Sequence, residues 1–258
     1  MFLIQIAFLL LTCWLWPASS ITASNSSIYV AHAGGRADNL RYTNSLEALN
    51  SSYDRGYRYF EIDLAETTDG QLVLMHDWDI SVHNLFGLDK HQLSFKEFKT
   101  KPMDRGRLTA LSFNDFYSWF TAHPDTRIIL DTKFDQAKIF ASVASGLTTE
   151  DKKRFIPQIS SVHDYAAMRH AGYEDIVLTL YANDYSTLKT IVASKIWSFW
   201  SITYDLKKAK DSDLTFWLRL LGEHSCVHLV NTEADNIFLS QRGIDCFYSS
   251  DLNPVSID

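Results

Sequence analysis

Short apolar runs alternate with amphipathic stretches along this chain. The runs fall at Ile28–Ala33, Tyr59–Leu64, Arg127–Thr132, Phe155–Ser160, Asp175–Tyr181, Ser198–Tyr204, Cys226–Asn231 and Ile244–Ser249. They have strand length and are mostly apolar throughout, the pattern of strands buried on both faces of a parallel sheet. Between them, apolar residues recur at helical spacing over Asn44–Arg55, Ser112–Ala122, Gln136–Ser145, His163–His170, Tyr185–Ser194, Asp213–Glu223 and Ala234–Gln241. Strands alternating with helices in this way predict an α/β fold, a TIM-type (β/α)8 barrel. The rhythm breaks in two places. Thr68-Asp69-Gly70 is a turn signal, so Leu72–His76 is read as the return arm of a hairpin on the second strand. Ile80–Leu111 is read as a small insertion over the C-terminal mouth of the barrel.

The polar residues that interrupt the strands carry the chemistry. Glu61 and Asp63 are two apart in an apolar strand, so they point to one face. Unpaired carboxylates buried there are costly, which makes a shared hard cation the natural partner. The hairpin returns His76 to their neighbourhood. His32 ends the first strand before Gly34-Gly35, and Asp131 and Lys133 end the third. In a barrel of this kind catalytic groups sit at the C-terminal ends of strands. Acids holding a cation and two imidazoles serving as base and acid make a metal-assisted phosphoryl-transfer site. Asn44 is open between a helix cap and a phosphate contact, and Glu47 is read as closing a capping box with it. Asp77 either orients His76 or begins a turn. His83, His91, His123, His163, His170, His224 and His228 share no spacing and are read as structural or exposed. Trp78, Trp200 and Tyr204 are assigned to the core.

These pieces occur in a recognisable order. His32-Ala33-Gly34-Gly35, Asn44-Ser45-Leu46-Glu47-Ala48, Glu61-Ile62-Asp63, Asp69-Gly70 with His76-Asp77, Leu130-Asp131-Thr132-Lys133, Val230-Asn231-Thr232 and Gly243-Ile244-Asp245 span nearly the whole chain. In this order the chain resembles the glycerophosphodiester phosphodiesterases, within the wider group that includes bacterial phosphatidylinositol-specific phospholipase C. The resemblance implies His32 and His76 as the catalytic pair. It implies Glu61, Asp63 and Asp131 as metal ligands, and Lys133 and Asn44 as substrate contacts. Three positions depart from the family pattern. Ala33 stands where Arg usually follows the first His, Thr43 where Glu is common, and Asp131 where Glu is usual. Asp at that third position also occurs in the related sphingomyelinase D branch. Arg36 is the candidate to replace the missing phosphate contact.

Composition bounds the remainder. The chain has 258 residues, 46% hydrophobic and 14% aromatic, enough for one large core. The net charge of −7 and the lack of a basic run exclude a polyphosphate-neutralising nucleic-acid surface. Phe2 to Trp16 is almost wholly apolar and Pro17-Ala18-Ser19-Ser20 follows it, so residues 1–23 are read as a signal peptide and 24–258 as a single barrel domain. The first charged side chain is Arg36, so a basic n-region is missing, and an uncleaved anchor is the alternative. Either way the protein is expected to be secreted or periplasmic. Cys226 and Cys246 are then either a disulfide or two buried thiols.

The expected protein is a secreted hydrolase cleaving glycerophosphodiesters with Ca²⁺ or Mg²⁺, since oxygen-only ligands suit these ions rather than zinc. The first competing reading is a phospholipase C-like or sphingomyelinase D-like enzyme on intact lipids. Leu85, Phe86, Leu88, Phe95 and Phe98 of the insertion would then offer an apolar rim for transient membrane contact. The second is a catalytically silent binding barrel, supported by the missing Arg alone.

Overall fold

The structure, a computed structural model, describes residues 27–180 and 198–254. The expected signal peptide and the expected helix Tyr185–Ser194 lie outside the described residues. Eight parallel strands close on themselves: β1 (Ile28–Ala31), β2 (Tyr59–Glu66), β3 (Arg127–Asp131), β4 (Phe155–Ile159), β5 (Val177–Thr179), β6 (Ser201–Asp205), β7 (Ser225–His228) and β8 (Cys246–Ser249). β1 pairs with β8 on one side and with β2 on the other, which shuts the barrel.

The apolar runs form these strands because both of their faces are covered. Along β2, Phe60, Ile62 and Leu64 face outward into the main core, with Leu49, Phe116 and Phe120 from the surrounding helices. The alternate residues Glu61 and Asp63 belong to the inner face. There β3, β4 and β5 contribute Ile129, Ile156 and Val177. β2 runs two residues past its expected end because its last turn pairs antiparallel with Leu72–Leu74. β7 is shorter than expected and ends at His228. A helix at Leu206–Asp211 was not anticipated, since its sequence LKKAKD has little apolar periodicity; Asp205 caps it by accepting from Lys208 N–H.

The insertion has a core of its own. Helices Ile80–Phe86 and Phe95–Thr100 build a second core beside the hairpin, with Ala65, Val73, Met75 and Trp78 from the barrel side. Leu85 and Phe98 are buried in it, and Phe86, Leu88 and Phe95 pack against it. These side chains therefore have a packing role in this second core. No helix among the described residues is long and apolar enough to cross a membrane.

Cys226 and Cys246 are register partners on β7 and β8, and they are joined as a disulfide inside the barrel. The next inward-facing register pair on the same strands is His228 and Tyr248. The cross-link spans a sequence separation of 20 residues. A loop of that size restricts the unfolded chain by about 3 kcal/mol. Reduction is therefore expected to lower the unfolding free energy by about that amount, read as a shifted denaturant midpoint with and without reductant. An unchanged midpoint in fully reduced protein would refute this.

Candidate active site

The C-terminal ends of the strands surround a cavity of about 190 Å³. Glu61, Asp63 and Asp131 line one part of it, and their carboxylate oxygens lie within 4.8 Å of one another. Strand register causes this convergence. Asp63 and Asp131 are direct partners across β2 and β3, and Glu61 lies two residues before Asp63 on the same face. All three are at most 3% exposed. Burial and the charges of Asp63 and Asp131 push the Glu61 carboxyl well above the usual carboxylate range.

Two local devices hold the acids. The backbone N–H of Ala33 donates to Glu61 Oε2 at 2.6 Å. Asn44 binds Asp63 twice: its amide donates to Asp63 Oδ2 at 2.9 Å, and its carbonyl accepts from the Asp63 N–H at 3.0 Å. Asn44 is buried in a left-handed conformation, φ 49°. Asn44 is thus bound to Asp63 and is not among the residues lining the cavity, and it is not the helix cap. Ser45 caps the helix Leu46–Asp54 instead, and Glu47 binds Thr109 through its N–H and hydroxyl. The turn after His32 needs its glycines. At Gly35, φ 97°, a Cβ would lie 1.9 Å from Ser52 Oγ.

His32 and His76 both line the cavity. His32 Nε2 is 3.8 Å from Glu61 Oε2, and its Nδ1 is buried without a hydrogen-bond partner. Burial pushes its imidazole down to about 4, assisted by His228, His76 and Lys133 and opposed by Asp63. His76 is differently held: its Nδ1 bonds Asp77 Oδ2 at 2.6 Å. Burial alone would raise the Asp77 carboxyl, but bonds from His76, Ser81 and Asp79 hold it well below the usual carboxylate range. Asp77 therefore orients His76 and also anchors the turn after it. Lys133 lines the cavity with its ammonium 3.0 Å from Asp131 Oδ2.

Two expectations fail here. Arg36 does not line the cavity; it pairs with Asp251 at 3.2 Å, and Arg41 binds the same carboxylate. His228, assigned to a structural or exposed role, lines the cavity. Tyr42, Gln158, Leu229 and Tyr248 also line it and had no sequence signal of their own. By contrast, His123 stacks on Trp119 and His224 pairs with Asp245 at 2.8 Å, both in structural settings.

The three acids fit a divalent cation. They are close, buried and rich in oxygen donors, and Lys133 is the lining group that supplies permanent positive charge beside them. Three carboxylates held this close without compensation would repel.

A sequence model of the glycerophosphoryl diester phosphodiesterase family matches residues 32–218. Solved structures share the fold. The glycerophosphodiester phosphodiesterase from Thermotoga maritima has a TM-score of 0.69 and 18% identity, covering 88% of this chain and 96% of that one. The Agrobacterium tumefaciens glycerophosphodiester phosphodiesterase has a TM-score of 0.66 and 14% identity, with coverage of 87% and 96%. An Oleispira antarctica phosphodiesterase, solved with the product sn-glycerol-3-phosphate, has a TM-score of 0.68 and 14% identity, with coverage of 88% and 93%.

The raised Glu61 carboxyl has a consequence for stability. A carboxyl whose folded value exceeds its unfolded 4.5 binds more protons folded than unfolded between the two values. Stability of protein stripped with EDTA should therefore fall as pH rises from 4.5 through the folded value. Ca²⁺ or Mg²⁺ should offset the fall, and Glu61→Gln should flatten it. Thermal melts across pH check this; a stripped wild type no more pH-sensitive than Glu61→Gln over that range would defeat it.

Proposed function

Since the chain belongs to the glycerophosphoryl diester phosphodiesterase family, we propose that it cleaves glycerophosphodiesters to an alcohol and glycerol phosphate using a divalent cation and histidine acid–base chemistry. The observation that carries this reading is one cavity holding the buried acids, Lys133 and two differently held histidines. Glu61, Asp63 and Asp131 would hold Ca²⁺ or Mg²⁺. When bound, the ion supplies positive charge that stabilises the phosphoryl group as negative charge builds on it.

The chain's own groups do the rest. Lys133 draws the phosphodiester in and neutralises a phosphoryl oxygen. His32, kept neutral by burial, accepts the proton of the attacking hydroxyl, which is either water or a neighbouring hydroxyl of the substrate. That oxygen forms the new bond to phosphorus as the bond to the leaving alcohol breaks. His76, fixed by Asp77 through Nδ1, gives a proton from Nε2 to the departing oxygen. If the neighbouring hydroxyl attacks first, water opens the cyclic phosphate with the two histidines exchanging roles.

A second reading keeps the chemistry and changes the substrate to an intact lipid. It is favoured by Tyr42 and Leu229, apolar side chains that line the cavity yet are each 38% exposed. We also propose that the protein is exported. The apolar N-terminal segment supports this, and so does the disulfide, which suits an oxidising compartment.

The test is turnover of several glycerophosphodiesters beside sphingomyelin and phosphatidylinositol vesicles, with and without EDTA. Chelation should abolish activity, and Ca²⁺ or Mg²⁺ should restore it. His32→Ala and His76→Ala should each lower turnover by about 10²–10⁴-fold with an unchanged Tm. Binding of glycerol 3-phosphate without turnover of any diester would point to a silent barrel and end this reading.

A further inference from the structure

The cavity contains a third imidazole that the acid–base steps leave unused. His228 ends β7 and lines the cavity. Its Nδ1 lies 3.1 Å from Thr203 Oγ1 on the adjacent strand β6. Thr203 is fully buried, and a buried hydroxyl satisfies its proton by donating it. With Thr203 as the donor, Nδ1 is the acceptor, which assigns the ring proton to Nε2. Burial pushes the imidazole down to about 4; Lys133 and Lys208 act in the same direction, and Asp205 opposes them. A ring in this state is neutral at neutral pH, and with Nδ1 turned to Thr203 it can offer a hydrogen bond through Nε2.

Its surroundings keep it in place. Tyr248 meets the ring edge-on at 6.3 Å, and the Cys226–Cys246 disulfide ties the two strands one inward-facing pair below. The remainder of the cavity explains what such a donor would serve. Three carboxylates occupy one part of the wall and repel an anionic diester. Arg36 is turned away onto Asp251, so among the lining residues described Lys133 carries the permanent positive charge.

We propose that His228 donates a hydrogen bond from Nε2 to a phosphoryl oxygen and forms, with Lys133, the anion-holding wall of the site. This rests on the phosphodiesterase reading above. His228 is thus a substrate-binding residue, distinct in role from the proton-transferring pair His32 and His76.

The full chain tests this by calorimetric binding of glycerol 3-phosphate at fixed metal concentration, together with glycerophosphocholine kinetics. A hydrogen bond to a charged group lost on His228→Leu should weaken binding about 10- to 100-fold. KM should rise in parallel, and both limbs of the kcat–pH profile should remain. His228→Gln, which places an amide N–H near the Nε2 position, should recover most of the affinity. Thr203→Val lies outside the cavity and releases the ring to its other tautomer; it should weaken binding several-fold. Folded His228→Leu that binds within twofold of wild type overturns the proposal, as does loss of a pH limb. Should His228→Leu not fold, Thr203→Val decides, and wild-type affinity there overturns the proposal. If the unaltered protein hydrolyses no glycerophosphodiester, the functional reading fails on its own, and binding of glycerol 3-phosphate still decides the role of His228.

Discussion

The structure turns on three carboxylates held within 4.8 Å of one another in a buried place. Like charges at that distance in a poorly solvated interior repel strongly, and desolvation adds to the penalty. The surroundings are arranged as compensation. The Ala33 N–H, the Asn44 amide and the Lys133 ammonium each contact one acid, and the cluster calls for a cation at its centre. Each compensating group carries its own structural demand. Ala33 and Asn44 both sit in left-handed conformations, and the Asn44 N–H binds the Ala33 carbonyl at 3.0 Å, so two strained positions support one another.

The strain spreads outward from there. The turn that presents the Ala33 N–H can pass over the helix Leu46–Asp54 only because Gly35 lacks a Cβ, and Ser52 Oγ donates to the Gly34 carbonyl at 2.9 Å. Ser45 starts that helix directly after Asn44, so the residue that binds Asp63 is fixed by the helix that supports the turn. A site that is unfavourable on its own is thereby over-determined by its scaffold, which is what pre-organisation requires.

Much of this was legible in the sequence. The barrel was visible because both faces of each strand are apolar, which leaves nearly unbroken runs. Glu61, Asp63, Asp131 and Lys133 stood out because they violate those runs at strand ends. His228 was missed for the same reason in reverse. Cys226–Asn231 looked like one strand, which placed His228 in its middle, whereas β7 ends at His228 and delivers it to the cavity. Leu229, in the left-handed region at φ 68°, is where the chain leaves the strand. A leucine gives no warning of such a break, because glycine or asparagine is the usual marker. Asn44 was left open between a helix cap and a phosphate contact, and its contact with Asp63, 19 residues away, has no local signature. Arg36 was placed by its nearness to His32, but the short hairpin Arg36–Ala37 with Leu40–Arg41 carries it to Asp251.

The insertion bears on the site through its packing. It follows His76 directly in sequence and was expected over the C-terminal mouth of the barrel. Its apolar side chains close a core of their own on the hairpin. That core has an indirect bearing on the chemistry. The Met75 N–H binds the Asp63 carbonyl at 3.0 Å, and Trp78 Nε1 donates to the Glu66 carbonyl at 2.9 Å, so the segment carrying His76 is tied to β2 on both sides. Met75 and Trp78 are also members of the second core. The packing of the insertion therefore sets the distance between His76 and the acids. Substitutions in its buried face should be felt in the reach of that histidine before they are felt in any contact with substrate.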